Sequence, residues 1–208
     1  MTVRAYTSSI GRMRMLAGDP ALDFANTLHW RSGREVDFIR DYVSLADWSV
    51  PAGLLQNAER DAVTLLATAD PVGAQDAHAQ ALALRGLWRE HLSLSLGTAE
   101  PRDTPRLPAP LMAMLSKLLA EMPQLMDTSS KADGRGLRLP LARVALAIAS
   151  LHAIPVERQI GQCEGDPCGG FFLNTSRSKP RRWCSMDSCG NRAKVKQFRS
   201  RFAAERTG

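Results

Sequence analysis

The residues with the clearest chemistry are Cys163, Cys168, Cys184 and Cys189, which fall into two C-x4-C pairs separated by fifteen residues. Thiolates are the preferred ligands of zinc in structural sites, and two short loops offering two sulfurs each can close a tetrahedron. The spacing points to one structural Zn2+. Two disulfides, a redox switch that releases its metal on oxidation, and a catalytic zinc are the rival chemistries. A catalytic zinc keeps an open position and takes His or carboxylate ligands. The four histidines, His29, His78, His91 and His152, all precede the cysteines, which argues against that reading.

The loops around the sulfurs suit a metal. Gly165-Asp166-Pro167 lies inside the first pair and Gly169-Gly170 follows it, so the chain can curl with N–H groups facing sulfur. Between the pairs, Phe171-Phe172-Leu173 reads as one strand, Asn174 to Pro180 as a turn, and Arg181-Arg182-Trp183 as the returning strand. A helix follows Gly190-Asn191. Knuckle, hairpin, knuckle and helix make a treble-clef type of module, in which the metal supplies most of the folding energy.

The charge is concentrated here. Between Arg177 and Arg206 there are ten Lys or Arg and two acids, a charge of +8, whereas the whole chain carries +6, so the remainder is at −2. Four thiolates around one Zn2+ leave the module from Cys163 to Arg206 at +4. Such an excess attracts phosphate and releases condensed counterions. The candidate DNA contacts are Arg181, Arg182, Arg192, Lys194, Lys196 and Arg199. Val195, Phe198 and Phe202 form the stripe expected to pack this last helix onto the hairpin. A bland reading is that the charges only keep a helix soluble. A second functional reading is an RNA-binding or protein-interaction module, with Phe171, Phe172 and Trp183 as base-stacking platforms.

The elements that must position this module are helical. The chain has 208 residues, of which 44% are hydrophobic and only 6% aromatic, with Leu and Ala dominant. The fold class expected is mostly α: a helical N-terminal domain over 1–155 and the zinc module over 156–208, divided near Pro155. Asp19-Pro20 and Asp70-Pro71 each pair a capping carboxylate with proline at the first helical position. Leu54 to Ala69 reads as an amphipathic helix with Leu55, Ala58, Ala62, Leu65, Leu66 and Ala69 inward. Residues 71 to about 96 read as a longer one, with Ala77, Ala81, Leu84, Trp88 and Leu92 inward. Val36 to Trp48 reads as a short strand or turn and then a helix. Ser32-Gly33, Gly97 to Pro110 and Asp127 to Gly136 read as turns or loops. A helix from Leu111 should stop at Met122, before Pro123, and a very apolar one should run from Pro140 to Ala153. No apolar run spans a bilayer and the N-terminus shows no h-region, so the expected compartment is the cytoplasm, with no membrane partner.

Two motifs resemble known families. RRWCSMDSCGNRAKVKQFRSR, residues 181–201, closely resembles the CGNR zinc finger, named for the tetrad at Cys189-Gly190-Asn191-Arg192. Asn174 stands where that family has Asp. GDPALDFANT, residues 18–27, resembles the opening of the ABATE domain that precedes this finger. The resemblance implies a bacterial cytoplasmic DNA-binding transcription regulator with a helical domain that senses a ligand.

In that domain Asp23, Asn26 and Thr27 share one helical face. They either line a polar ligand pocket or form a buried hydrogen-bond network. Trp30, Trp48 and Trp88 either wall a pocket or fill the core. The chain contains no HExxH, phosphate loop or GxSxG and no cysteine outside the quartet, so it is not expected to be an enzyme. DNA is the partner expected first; RNA, a small-molecule effector and a homodimer remain open.

Overall fold

Asp19 and Pro20 begin the first helix as their types dictate. Asp19, in extended conformation, accepts the Ala21 N–H at 2.8 Å, and α1 runs over Pro20–Ala25. The computed structural model describes residues 13–31, 34–96, 106–126, 135–153, 159–176 and 180–205. After α1 come an antiparallel hairpin, β1 (Leu28–Arg31) and β2 (Arg34–Asp37), then α2 (Tyr42–Ser49), α3 (Asn57–Ala69) and α4 (Pro71–Leu96). They are followed by α5 (Ala109–Met126), a 3-10 turn at Arg135–Arg138, and α6 (Leu139–His152). The C-terminal part holds a second antiparallel pair, β3 (Gln159–Gln162) and β4 (Phe171–Asn174), and α7 (Asn191–Glu205). Among the described residues the chain is mostly α, with a small hairpin and a helix at the cysteines. The Ser32-Gly33 turn, residues 97–105 and residues 127–134 lie outside the described residues.

Leu22, Phe24, Leu45, Trp48, Leu84, Trp88, Leu115 and Ile148 make the main core, with the Phe24 and Trp48 rings 5.5 Å apart. Trp48 and Trp88 are therefore core residues. The Trp88 indole donates to the Ala21 carbonyl at 2.9 Å, which ties α4 to α1. The predicted inner stripe of α4 is buried throughout.

Two helix readings need correction. In α3 the buried residue is Val63, with Leu66 and Ala67 beside it, whereas Leu65 is 73% exposed. Leu55 lies before the helix. Ala58, Ala62 and Ala69 are exposed as well, so the inward face of Val63, Leu66 and Ala67 lies about one residue on from the expected stripe, and Glu59 on that side forms a bidentate ion pair with Arg143 of α6 at 2.5 and 2.7 Å. The second correction is at Pro123, which does not stop α5. It is exposed and within the last turn, where its missing N–H removes a single hydrogen bond and the helix continues to Met126.

Candidate metal centre and nucleic-acid interface

The strands of the zinc module are not the expected pair. Phe171–Asn174 pairs with Gln159–Gln162, Gln162 facing Phe171 and Gln159 facing Asn174, so the hairpin encloses the first cysteine pair. Residues Arg181 to Trp183 are not a strand. They run beside the knuckle, joined to it by the Glu164 N–H donating to the Arg182 carbonyl at 2.9 Å. The polar stretch Gln159-Ile160-Gly161-Gln162 has too little apolar alternation to stand out as a strand.

Period-two alternation along β4 explains how the module is seated. Phe171 and Leu173 join the core of the helical body, while Phe172, between them, packs with Cys163, Cys168 and Cys189. Gly161 opposes Phe172, and a Cβ there would lie 2.7 Å from the ring, so only glycine lets the ring lie flat across the strand. Phe171 and Phe172 are 1% and 0% exposed. They offer no face to a base, which removes them as stacking platforms.

The four cysteine sulfurs lie within 4.8 Å of one another and form no disulfide. Cys184 is 3.7 Å from Cys168 and 3.7 Å from Cys189. With Zn–S bonds of about 2.3 Å, the edge of a tetrahedron is about 3.8 Å, so these separations match a metal centre and exclude an S–S bond of about 2 Å. Taken as thiols alone, Cys163, Cys168 and Cys184 are in conflict. Hydrogen bonding from Cys168 and Cys184 holds Cys163 down to about 2. Its hydrogen bond to Cys163 pushes Cys168 up to about 12, and hydrogen bonds to Cys163 and Cys168, then burial, push Cys184 up. A divalent cation among them removes the conflict by stabilising every thiolate. The donor set and geometry fit one structural zinc ion held by Cys163, Cys168, Cys184 and Cys189.

Local structure brings the sulfurs together. The Cys163 N–H donates to the Gly170 carbonyl at 2.8 Å, the Cys168 N–H donates to the Gly165 carbonyl, and the Gly165 N–H points at Cys163 Sγ at 3.4 Å. A Cβ on Gly165 would meet Cys189 Cβ at 2.9 Å, so glycine permits the close approach of the two loops. Gly169, at φ +60°, turns the chain back into β4. Cys189 sits in a single π-type turn, Met186–Gly190, that leads into α7.

The six candidate phosphate contacts differ in what they already bind. Arg192 donates to Cys189 Sγ at 3.0 Å, and the sulfur holds its guanidinium above the ordinary arginine range. Arg181 donates to the Cys184 carbonyl at 2.7 Å and lies 4.8 Å above the Phe172 ring. Arg182 is ion-paired with Glu164 at 2.5 Å and Lys196 with Asp166 at 3.0 Å. Lys194 and Arg199 are exposed and pair with no acid among the described residues. Glu164 and Asp166 were missed as counter-ions, although two acids inside a C-x4-C loop beside a basic helix are a legible signal. Asn174 Oδ1 accepts the Arg181 N–H at 3.2 Å.

The apolar stripe of α7 does not pack onto the hairpin. Val195 is 49% and Phe198 62% exposed, and Phe202 lies among the side chains not described. The hairpin has no free face for them, because one side is buried in the helical body and the other covers the cysteines.

Of the three motif residues expected on one helical face only Asp23 lies in α1; the helix ends at Ala25, Asn26 caps it and Thr27 sits in the turn before β1, and all three are spoken for. Asp23 accepts the Ala17 N–H at 3.2 Å. Thr27 donates to the Phe24 carbonyl at 2.7 Å and accepts from Arg85, whose guanidinium is bidentate on Asp37 at 2.6 and 2.7 Å. Asn26 holds both backbone groups of Phe171 at 2.8 Å each. Asp23 and Thr27 are buried in these bonds, and the three side chains tie α1 to the N-terminal segment, to α4 and to the zinc module. No helix among the described residues is long and apolar enough to cross a membrane.

The model of the CGNR zinc finger matches residues 159–202, and the model of ABATE, described as a putative stress-induced transcription regulator, matches residues 18–155. No curated protein and no solved structure matches the chain. The metal centre lies within the first of these stretches and the Asn26 clamp begins in the second; the chain belongs to the ABATE family and carries a CGNR zinc finger.

Proposed function

We propose that the chain is a zinc-dependent DNA-binding transcription regulator of the cytoplasm, in which the finger presents α7 to the phosphate backbone. The observation that carries this reading is the surface of α7. Arg192, Lys194, Lys196 and Arg199 are all exposed along it, no acid occurs before Glu205, and the helix packs only against the turn that precedes it among the principal contacts. A rigid metal-held module with a one-signed projecting helix releases counterions on meeting a polyanion. The ion-paired Arg182 and Lys196 must first leave Glu164 and Asp166, so Lys194 and Arg199 carry more of the attraction.

The test is the affinity of the zinc-loaded chain for a random duplex pool over a range of salt. Affinity should fall with a log–log slope of about 0.9 per phosphate contacted. Charge reversal of Lys194 and Arg199 together should flatten that slope by about two contacts, while Arg182→Ala costs less. Absence of salt-dependent duplex binding overturns the reading, and a clear preference for single-stranded RNA would favour the RNA-binding alternative.

A further inference from the structure

A cleft of about 680 Å³ opens between the helical body and the zinc module, a size in the range of about 300–1,000 Å³ usual for small-molecule sites. Its walls come from both parts of the chain. The segment ahead of α1 contributes Arg14 and Leu16, the stretch after β2 contributes Phe38, and α7 contributes Val195, Lys196 and Arg199. The Asn26 side chain that clamps Phe171 also lines it, so the cleft lies on the joint between the two parts.

The lining carries both signs, with two cations left unengaged. Arg14, Arg192, Lys196 and Arg199 share it with Asp187 and with Cys168, Cys184 and Cys189 of the metal centre. At the inner end Arg192 lies on Cys189 Sγ and offsets the negative charge of the zinc thiolates, and Lys196 reaches Asp166. Arg14 and Arg199 pair with no acid among the described residues. Their guanidiniums are matched to a planar or tetrahedral oxyanion. Leu16, Phe38 and Val195 supply an apolar wall for the rest of an occupant. Phe38 is already buried against the body, whereas Val195 is half exposed and would be covered by a bound molecule.

We infer that the cleft is a binding site for a small organic anion, an apolar body with one carboxylate- or sulfonate-like head held by Arg14 and Arg199. The inference goes beyond nucleic-acid binding and does not depend on it. Asp23 and Thr27 take no part, being enclosed in α1 and its neighbours.

The probe is 8-anilinonaphthalene-1-sulfonate, an apolar aromatic anion whose fluorescence rises on leaving water. It is titrated into the zinc-loaded full chain with no nucleic acid present, so the result stands whether or not the chain binds DNA. One saturable site is expected. Leu16→Trp, which fills the apolar wall, and Arg14→Glu, which reverses an exposed charge, should each weaken binding about tenfold or more, as loss of a charge-assisted contact does. Phe198→Ala, on the exposed face of α7 and outside the cleft, should bind like the parent. Unchanged affinity in both cleft variants, or loss only in Phe198→Ala, overturns the inference.

Discussion

The Asn26 carboxamide holds Phe171 as a neighbouring strand would: Nδ2 donates to the Phe171 carbonyl and Oδ1 accepts its N–H, each at 2.8 Å, across 145 residues of sequence. One residue pair further along the same edge, the Leu173 N–H donates to the Ala17 carbonyl at 2.7 Å. The outer edge of a two-stranded sheet is thereby closed by the opening motif of the helical body, and the Phe171 and Leu173 side chains follow their backbone into its core.

Asn26→Ala should therefore loosen the finger from the body rather than unfold either. It strands a buried N–H and carbonyl at Phe171, at a cost of about 1–3 kcal/mol for each group left unsatisfied. Hydrogen exchange at the Phe171 amide should accelerate strongly while the α4 amides keep their protection. Equal exchange in variant and parent would show that the clamp does not hold the module.

Much of this architecture is legible in the sequence, for reasons that separate by range. Asp19-Pro20, the α4 stripe and each C-x4-C pair are local signals, in which the residue and its partner lie within a turn or two, and each appears in place. Apart from the local case of Pro123, the misplaced features are decided at a distance. Gln159–Gln162 becomes a strand only because Phe171 and Leu173 are already fixed in the body's core, and its own residues carry no strand pattern. Val195 and Phe198 look like a core stripe until the hairpin's two faces are both taken. Asp23, Asn26 and Thr27 allow two readings in the sequence because neighbouring polar groups look alike until the partner, 145 residues away in the case of Asn26, is seen.

Cys184→Ala should abolish stoichiometric zinc. Cys184 sits 3.7 Å from two other ligands, and three thiolates do not close a structural tetrahedron. Metal content should drop from one zinc per chain toward zero, and the remaining three thiols should react readily with a thiol reagent. Chelation of the parent should produce the same exposure. Most of the main core lies outside the module, so far-UV helical signal should persist in both cases. A variant that keeps a full zinc equivalent would refute the assignment of the four ligands.

Arg192→Ala should affect the metal before it affects any partner. Its guanidinium lies 3.0 Å from Cys189 Sγ and offsets charge on that sulfur. Loss of such an outer contact typically weakens metal binding about 10–100-fold. Zinc transfer to a competing chelator should be faster in the variant, and the sulfur-to-metal charge-transfer band of the cobalt-substituted protein should shift. Arg192→Lys keeps the charge but not the planar fork and should recover only part of the effect. Identical chelator competition in variant and parent would place Arg192 outside the metal centre.

Asp23 gives a pH dependence with a definite sign. Burial is the main cause that raises its carboxyl from 3.8 to about 6, against hydrogen bonds from the Ala17 and Leu16 backbone that lower it. Below 3.8 both folded and unfolded chains hold the proton, and above about 6 neither does. Between those limits the folded chain binds more protons, so stability contributed by this group is gained as pH falls through 6 and lost as it rises. Asp23→Asn keeps an oxygen to accept the Ala17 N–H and has no such titration. Between about pH 7.5 and about pH 5.5 the parent should gain about 1 kcal/mol of stability relative to the variant in urea unfolding, since effects on the zinc thiolates are common to both and cancel. A difference that stays constant, or that moves the other way, would mean that Asp23 is ionised in the fold with a compensating partner, and the burial argument for it would fail.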